Sequence, residues 1–310
     1  MKTVLYTCLF LAVGVLCSAE KVFTFERRLK TNDAFQCRIL TDQSIRYSFQ
    51  LRGREQPVTR LETIQASFNG YIQVLSLNEQ GNASSIRIRM DMAHGSLNGK
   101  PLKVSSGKNI LIRGDLSGRR SSFRREDGVA LSSGETALLQ ALFPPASPLS
   151  LSDLTGKKRV LPLPGQSWKI VPDPFLHHLA ERQIHLGKSG ILGGVTYQGQ
   201  SRVGTLPCHR FVLRMETHSL KEYDFRLKVT FCMGESSPVP LKMKREAKEI
   251  LSRLLPGDDP LSGGSRVDLH TQDLTEQWLI PVRNFPGKIH NAPSGNVSSR
   301  QGGSWKDLLR

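Results

Sequence analysis

The chain has little cysteine: five residues in 310, of which Cys8 and Cys17 fall in the first nineteen positions. Cys37, Cys208 and Cys232 remain, with no CxxC pair. A disulfide scaffold, a zinc ribbon and a thioredoxin-type redox site are therefore excluded. After the N-terminus no apolar run is long enough for a membrane-spanning helix. Common catalytic signatures are missing as well. There is no GxSxG elbow and no HExxH helix. The stretch LGKSG, Leu186–Gly190, has the end of a phosphate-binding loop, but Arg182 stands where the first glycine must be. His177, His178 and His185 are close in sequence, yet no carboxylate or cysteine completes a metal set. The carboxylates are scattered, and no acid/base pair stands out. No catalytic residue, cofactor or metal is expected.

What is present begins with MKTVLYTCLFLAVGVLCSA. Lys2 supplies a positive start, Val4 to Leu16 carries no charge, and Cys17-Ser18-Ala19 places small residues before a cut. This is the pattern of a secretory signal peptide over residues 1–19, cleaved before Glu20. Val15-Leu16 does not suit a lipoprotein signal at Cys17. The expectation is export to a periplasmic or extracellular compartment. Two glycosylation sequons, Asn82-Ala83-Ser84 and Asn296-Val297-Ser298, matter only in a host that glycosylates there.

The formal charge is +16, and removal of Lys2 leaves +15. Residues 20–133 carry 19 basic and 11 acidic side chains, and residues 134–310 carry 23 and 16. The excess is spread over both halves, unlike the concentrated patch of a nucleic-acid module. Diffuse basicity suits an acidic surface such as an anionic lipid or glycan, or serves solubility alone.

Most of the chain after residue 19 alternates with a period of two. In SIRYSFQLR, Tyr47, Phe49 and Leu51 alternate with Arg46, Ser48, Gln50 and Arg52; in IRIRMDM, Ile86, Ile88, Met90 and Met92 alternate with Arg87, Arg89 and Asp91. Such patterns predict antiparallel strands with one buried and one wet face. Turns are expected at Gly81-Asn82 and near Ser117-Gly118. LSSGETALLQALFPP has capping-box spacing between Ser132 and Glu135, few polar positions and a Pro144-Pro145 stop, which predicts a short buried helix. Residues 241–255, LKMKREAKEILSRLL, place Leu241, Ala247, Ile250, Leu251 and Leu254 against Lys242, Lys244, Arg245, Lys248 and Arg253, and predict an amphipathic helix. Residues 144–164 look like a Pro-rich connector, and the Gly-, Ser- and Asn-rich segment 284–310 reads as a tail. The expected organisation is a β-rich region over 20–283, with halves 20–143 and 160–283 whose openings, TDQSIRYSF and PGQSWKIVP, are alike.

Two groups are candidates for further chemistry. Cys208 and Cys232 lie on adjacent predicted strands, on the face opposite Phe211, Leu213, Phe225 and Leu227. Placing the cysteines directly opposite permits a disulfide but sets Arg214 against Arg226. A two-residue slip pairs Glu216 with Arg226 and separates the thiols. SGRRSSFRREDG holds Arg119, Arg120, Arg124 and Arg125, a candidate polyanion contact. Neighbouring strand residues point to opposite faces, so only half of that cluster can meet one partner.

The pieces ETALLQALFPP, PGQSWKI and GTLPCHRF, in this order, resemble a group of uncharacterised secreted bacterial proteins, similar in layout to the half-barrels of periplasmic lipoprotein carriers and sensors. The resemblance spans most of residues 40–235. It implies a curved antiparallel sheet wrapping short helices, with an apolar concavity for acyl chains, and it supplies no catalytic residues. The expectation is a mainly β protein without enzymatic activity, binding an apolar ligand or a protein partner in a sheet concavity. The alternatives are salt-dependent attachment to acidic glycan or lipid, and an enzyme with an unrecognised site.

Overall fold

The computed structural model describes residues 23–24, 29–50, 56–79, 81–102, 110–118, 120–145, 154, 159–160, 163–181, 184–217, 223–235, 237–254 and 266–286. The expected signal peptide, most of the connector, and the tail beyond residue 286 lie outside these residues. Two-residue strands β1 (Phe23–Thr24) and β8 (Arg159–Val160) pair with each other. The other twelve strands form one antiparallel sheet. The first half of the chain supplies β2 (Ala34–Gln50), β3 (Val58–Leu77), β4 (Ala83–Leu97), β5 (Lys100–Pro101), β6 (Ile110–Asp115) and β7 (Ser122–Arg125). The second supplies β9 (Ser167–Lys169), β10 (Ile191–Val203), β11 (Leu206–Thr217), β12 (Tyr223–Gly234), β13 (Pro240–Leu254) and β14 (Arg266–Val282).

Across the sheet the order is β7-β6-β4-β3-β2-β14-β13-β12-β11-β10-β9, with β5 beside β4. Each half is a meander, and the two join where β14 runs antiparallel to β2 from Arg266↔Gln50 to Val282↔Ala34. The edge strands β7 and β9 do not pair with each other, so the sheet is open and not a barrel. Both edges are short, four and three residues, which limits pairing with a foreign strand.

Alternation gives the two faces different work. Tyr197, Phe211, Phe231, Met243, Gln277, Ile39 and Phe68 run in register across one face. Two helices cover this helix face. Helix α1 (Ser133–Leu142) starts at the predicted capping box: the Glu135 N–H donates to Ser132 Oγ at 3.2 Å, and the Ser132 N–H donates to Glu135 Oε2 at 2.8 Å. Its Leu138, Leu139 and Leu142 enter one core with Phe68, Ile88 and Ile112. Phe143 then meets Phe68 edge-on, with centroids 5.2 Å apart, and its carbonyl accepts from the buried Ser121 hydroxyl at 2.7 Å. Helix α2 (Asp173–Glu181) carries Phe175 and Leu179 into a second core with Val195, Phe211 and Leu213. Burying a side chain of this kind stabilises by about 1.5–3 kcal/mol. Between the two cores the helix face is polar. Thr41 and Thr275 share a hydrogen bond of 3.0 Å, the Thr275 hydroxyl also reaches Asp273 at 2.8 Å, and Arg245 pairs with Asp273 at 2.8 Å.

One expected element is corrected. Residues 241–255 do not form an amphipathic helix; Pro240–Leu254 is strand β13, paired on both sides with β12 and β14. The segment satisfies both periods. Lys, Glu and Ala favour a helix locally, but Met243, Ala247 and Leu251 also alternate with Lys242, Lys244, Glu246 and Lys248. Two complete ladders outweigh a propensity of a few tenths of a kcal/mol per residue. Helix α2, in contrast, has no counterpart among the elements expected from sequence patterning. Its signals were Asp173 and Pro174 at the first turn, which are good helix starters.

Gly70 occupies the bulge where β3 shifts register against β4, and an added Cβ would overlap the Arg89 carbonyl oxygen. Gly70→Ala is expected to destabilise the protein by about 1–3 kcal/mol, as overpacking does. A lower denaturation midpoint in urea with an unchanged slope is the result that checks it.

Candidate binding trough

The face away from the helices is predominantly polar, and it holds a cavity of about 640 Å³. Its lining spans β10, β11, β12, β13, β14 and β2. Strand register assembles it. Glu216, Arg226, Lys248, Gln272 and Ser44 form one row, and Arg214, Lys228, Glu246, Leu274 and Asp42 form the next. Positive and negative side chains are interspersed. Glu246 lies 3.9 Å from Lys228 and 3.1 Å from Lys244, and Asp42 accepts from Gln65 Nε2 at 3.2 Å. Leu192 and Leu274, 49% and 42% exposed, are the large apolar side chains that this lining leaves open. A second hollow of about 490 Å³ continues the trough over β2, β3 and β4 and shares Asp42 and Leu274 with the first. His94 lies there, in the row His94–Ser67–Leu40–Glu276. At about 4.8 Å per strand, three spacings hold it roughly 14 Å from Glu276, too far for an acid/base pair.

At one end of this open face a small apolar cluster is buried. Cys208, Cys232, Val203, Leu241 and Trp278 form a third cluster. Arg38 and Lys242 flank the Trp278 ring, with their charged groups 5.1 and 5.0 Å from its centroid. These cations satisfy the ring face electrostatically while the cluster buries its body.

The candidate cysteines lie in this cluster. The ladder adopts the slipped register: Cys208 opposes Gly234, Cys232 opposes Arg210, and Glu216 opposes Arg226. The slip relieves one like-charge pair but sets Arg214 against Lys228, whose amine is then near Glu246. No Cys208–Cys232 disulfide is present; Cys37, Cys208 and Cys232 are all buried free thiols. Cys208 and Cys232 are diagonal neighbours whose side chains hydrogen-bond to each other. Burial, reinforced by the facing Cys232, pushes the Cys208 thiol up to about 12. Burial raises Cys232 and Cys37 as well.

The arginine cluster is not brought together. Arg119 lies outside the described residues. Arg120 is exposed in the β6–β7 turn. Arg124 points to the open face and opposes Arg113, whereas Arg125 opposes Ile112 and is tied to Asp127 at 2.6 Å. That hydrogen bond raises the Arg125 guanidinium and lowers the exposed Asp127 carboxyl. The histidines do not converge either. His177 is exposed on α2, His185 is exposed beyond it, and the His178 side chain is outside what is described. Among the described residues no group of three His, Cys, Asp or Glu side chains could hold a metal. His209 is buried, with Nδ1 3.0 Å from the Tyr197 hydroxyl, and burial raises that phenol.

No family model matches the chain, and no curated protein does. Among solved structures it is similar to one titled for lipid–protein interactions in lipovitellin, at 9% identity and a TM-score of 0.24 over 84% of this chain. The chain spans 27% of that lipovitellin chain. It is also similar to a Pseudomonas aeruginosa FadL homologue, at 8% identity and a TM-score of 0.13 over 81% of this chain and 90% of that one. Scores this low carry no argument about ligand or mechanism.

The thiols generate a prediction. Iodoacetamide at pH 8 is expected to leave all three buried cysteines of the folded protein unmodified over an hour, and to label all three after denaturation; two thiols missing from the denatured count would reveal a bridge. The raised thiols also make stability pH-dependent. A folded thiol held above its unfolded value of about 8.5 stabilises fully below that pH, and its contribution is lost as pH rises toward the folded value. Cys208→Ala is expected to flatten this alkaline decline in thermal unfolding.

Proposed function

We propose that this is an exported, non-enzymatic binding protein that receives a polar, charge-bearing partner, such as an extended protein segment, in the trough of its open sheet. The observation that carries this reading is the lining. Strands β11, β12, β13 and β2 contribute interspersed positive and negative side chains to one cavity, while the apolar side chains of the helix face are consumed by the cores under α1 and α2. Ligand sites for acyl chains are mostly apolar. Here Arg214, Arg226, Lys228 and Lys248 would have to be stripped of water around a chain that offers them nothing in return. An extended segment bearing both signs of charge would meet each row with an opposite charge, which confers specificity and rapid association. Leu192 on β10 and Leu274 on β14, both exposed, give such a segment a place for one or two apolar anchors.

The absence of enzymatic activity belongs to the same proposal. His94 has no carboxylate in reach within its row, and the buried His209 meets a tyrosine. The Tyr197–His209 pair is buried against the core under α2, so it presents no nucleophile to a substrate.

Two measurements test this. Protein isolated from the exported fraction of its native host should carry no stoichiometric acyl lipid by native mass spectrometry; a bound lipid at one per chain overturns the reading. The triple variant Arg226→Glu/Lys228→Glu/Lys248→Glu, made on the wet face, should fold with an unchanged circular dichroism spectrum. It should lose the partners that the wild-type protein retains from that fraction at low salt. Retention equal to wild type would remove the trough from the account.

A further inference from the structure

A second surface on the open face, separate from the trough, lies over β4, β6 and β7. Register places Arg87, Arg113 and Arg124 directly opposite one another on these three strands. Cross-strand neighbours of like charge repel, and a sheet accumulates such a row only at a cost. Two carboxylates partly offset it: Glu126 accepts from Arg87 Nε at 2.6 Å, and Asp115 in the adjoining row feels the charge of Arg113. Neither Arg113 nor Arg124 lies within ion-pair distance of a carboxylate among the described residues, and both are exposed. The adjoining row is made of hydroxyls and one acid, with Ser76, Ser85, Asp115 and Ser122 in register. Asp115 is already engaged, accepting from the Ser117 N–H at 3.0 Å and the Ser117 hydroxyl at 2.6 Å. The two rows line a groove of about 490 Å³ that contains Arg113, Arg124, Ser85 and Ser122.

We propose that this groove binds the sulfate or phosphate esters of an acidic glycan, with Arg113 and Arg124 as the charged donors and Ser85 and Ser122 as hydroxyl donors. A guanidinium offers a planar fork of N–H groups that matches two oxygens of a tetrahedral oxyanion. Strand spacing sets Arg113 and Arg124 about 5 Å apart, close enough for both to reach one ester, and the row continues linearly to Arg87. A linear row suits a linear polyanion. Attachment to a bilayer combines basic residues with apolar side chains that insert. None of the large exposed apolar residues among those described lines this groove. The site differs from the clustered arginines of the β6–β7 turn, sharing only Arg124 with them, and it is independent of the trough.

The test uses the full secreted chain and heparin as the probe, by isothermal titration at 50 and 300 mM sodium chloride. Arg113→Gln/Arg124→Gln is compared with Arg46→Gln/Arg202→Gln, which removes the same charge from exposed positions elsewhere. The groove variant should weaken heparin binding about tenfold or more at low salt and the control less than about twofold, as expected for loss of paired charge-assisted hydrogen bonds rather than of screened net charge. Relief of the like-charge row should leave the thermal midpoint equal to wild type or higher. Glu126→Gln, which frees Arg87, should tighten binding, a change that misfolding cannot produce. Equal losses in the two double variants, or no heparin binding by wild type, overturn the proposal. So does row-dependent binding to phosphatidylglycerol vesicles with none to heparin. Inorganic sulfate at millimolar concentration should compete; failure of both sulfate and phosphate to compete also overturns it.

Discussion

The ladder between β14 and β2 is the constraint on which the rest depends. It joins residues more than two hundred positions apart, from Gln50 with Arg266 to Ala34 with Val282. Each meander alone would expose a long unpaired strand, rows of N–H and C=O groups open to any passing edge. Pairing those two strands closes both liabilities at once and leaves only β7 and β9 at the margins. It also explains the polar centre of the helix face. The seam lies between the cores, so Thr41, Thr275, Asp273 and Arg245 hold it by hydrogen bonds and an ion pair rather than by apolar packing.

The same ladder creates the open face. Trough residues come from β10 through β14 and from β2, so the cavity exists only because the halves share one sheet. Each of its charged side chains is the wet partner in a simple alternation. Together they make a surface with both signs of charge at close spacing. The arginine row on β4, β6 and β7 obeys the same logic at the other margin. Three side chains that are ordinary in their own strands become unusual only when register sets them side by side.

Several elements were legible in the chain alone because their signals are local. The capping box at Ser132 and Glu135 starts α1 where the spacing placed it. The turns at Gly81 and Gly118 separate β3 from β4 and β6 from β7. The segment 241–255 was misleading because its apolar residues suit both periods, and only neighbours on both sides decide between them. Helix α2 was missed because nine residues between strands give a weak periodic signal. The cysteine pair shows the boundary well. Alternation places Cys208 and Cys232 on the face opposite Phe211, but a two-residue slip preserves that face and changes every partner.

By itself, then, the sequence determined a β-rich chain with a short capped helix, turn positions, the inward side of several strands, and the lack of familiar catalytic motifs. Period-two patterning and glycine or proline chemistry act over a few residues, and they survive without knowledge of the fold. Tertiary structure alone decided which strands are neighbours, that the two meanders share one open sheet, that β13 is a strand, and that the wet faces gather into a charged trough and an arginine row. The physical reason is that side-chain alternation repeats every two residues. It states which face a residue occupies but carries no information about what stands opposite, and the trough and the arginine row are made by what stands opposite.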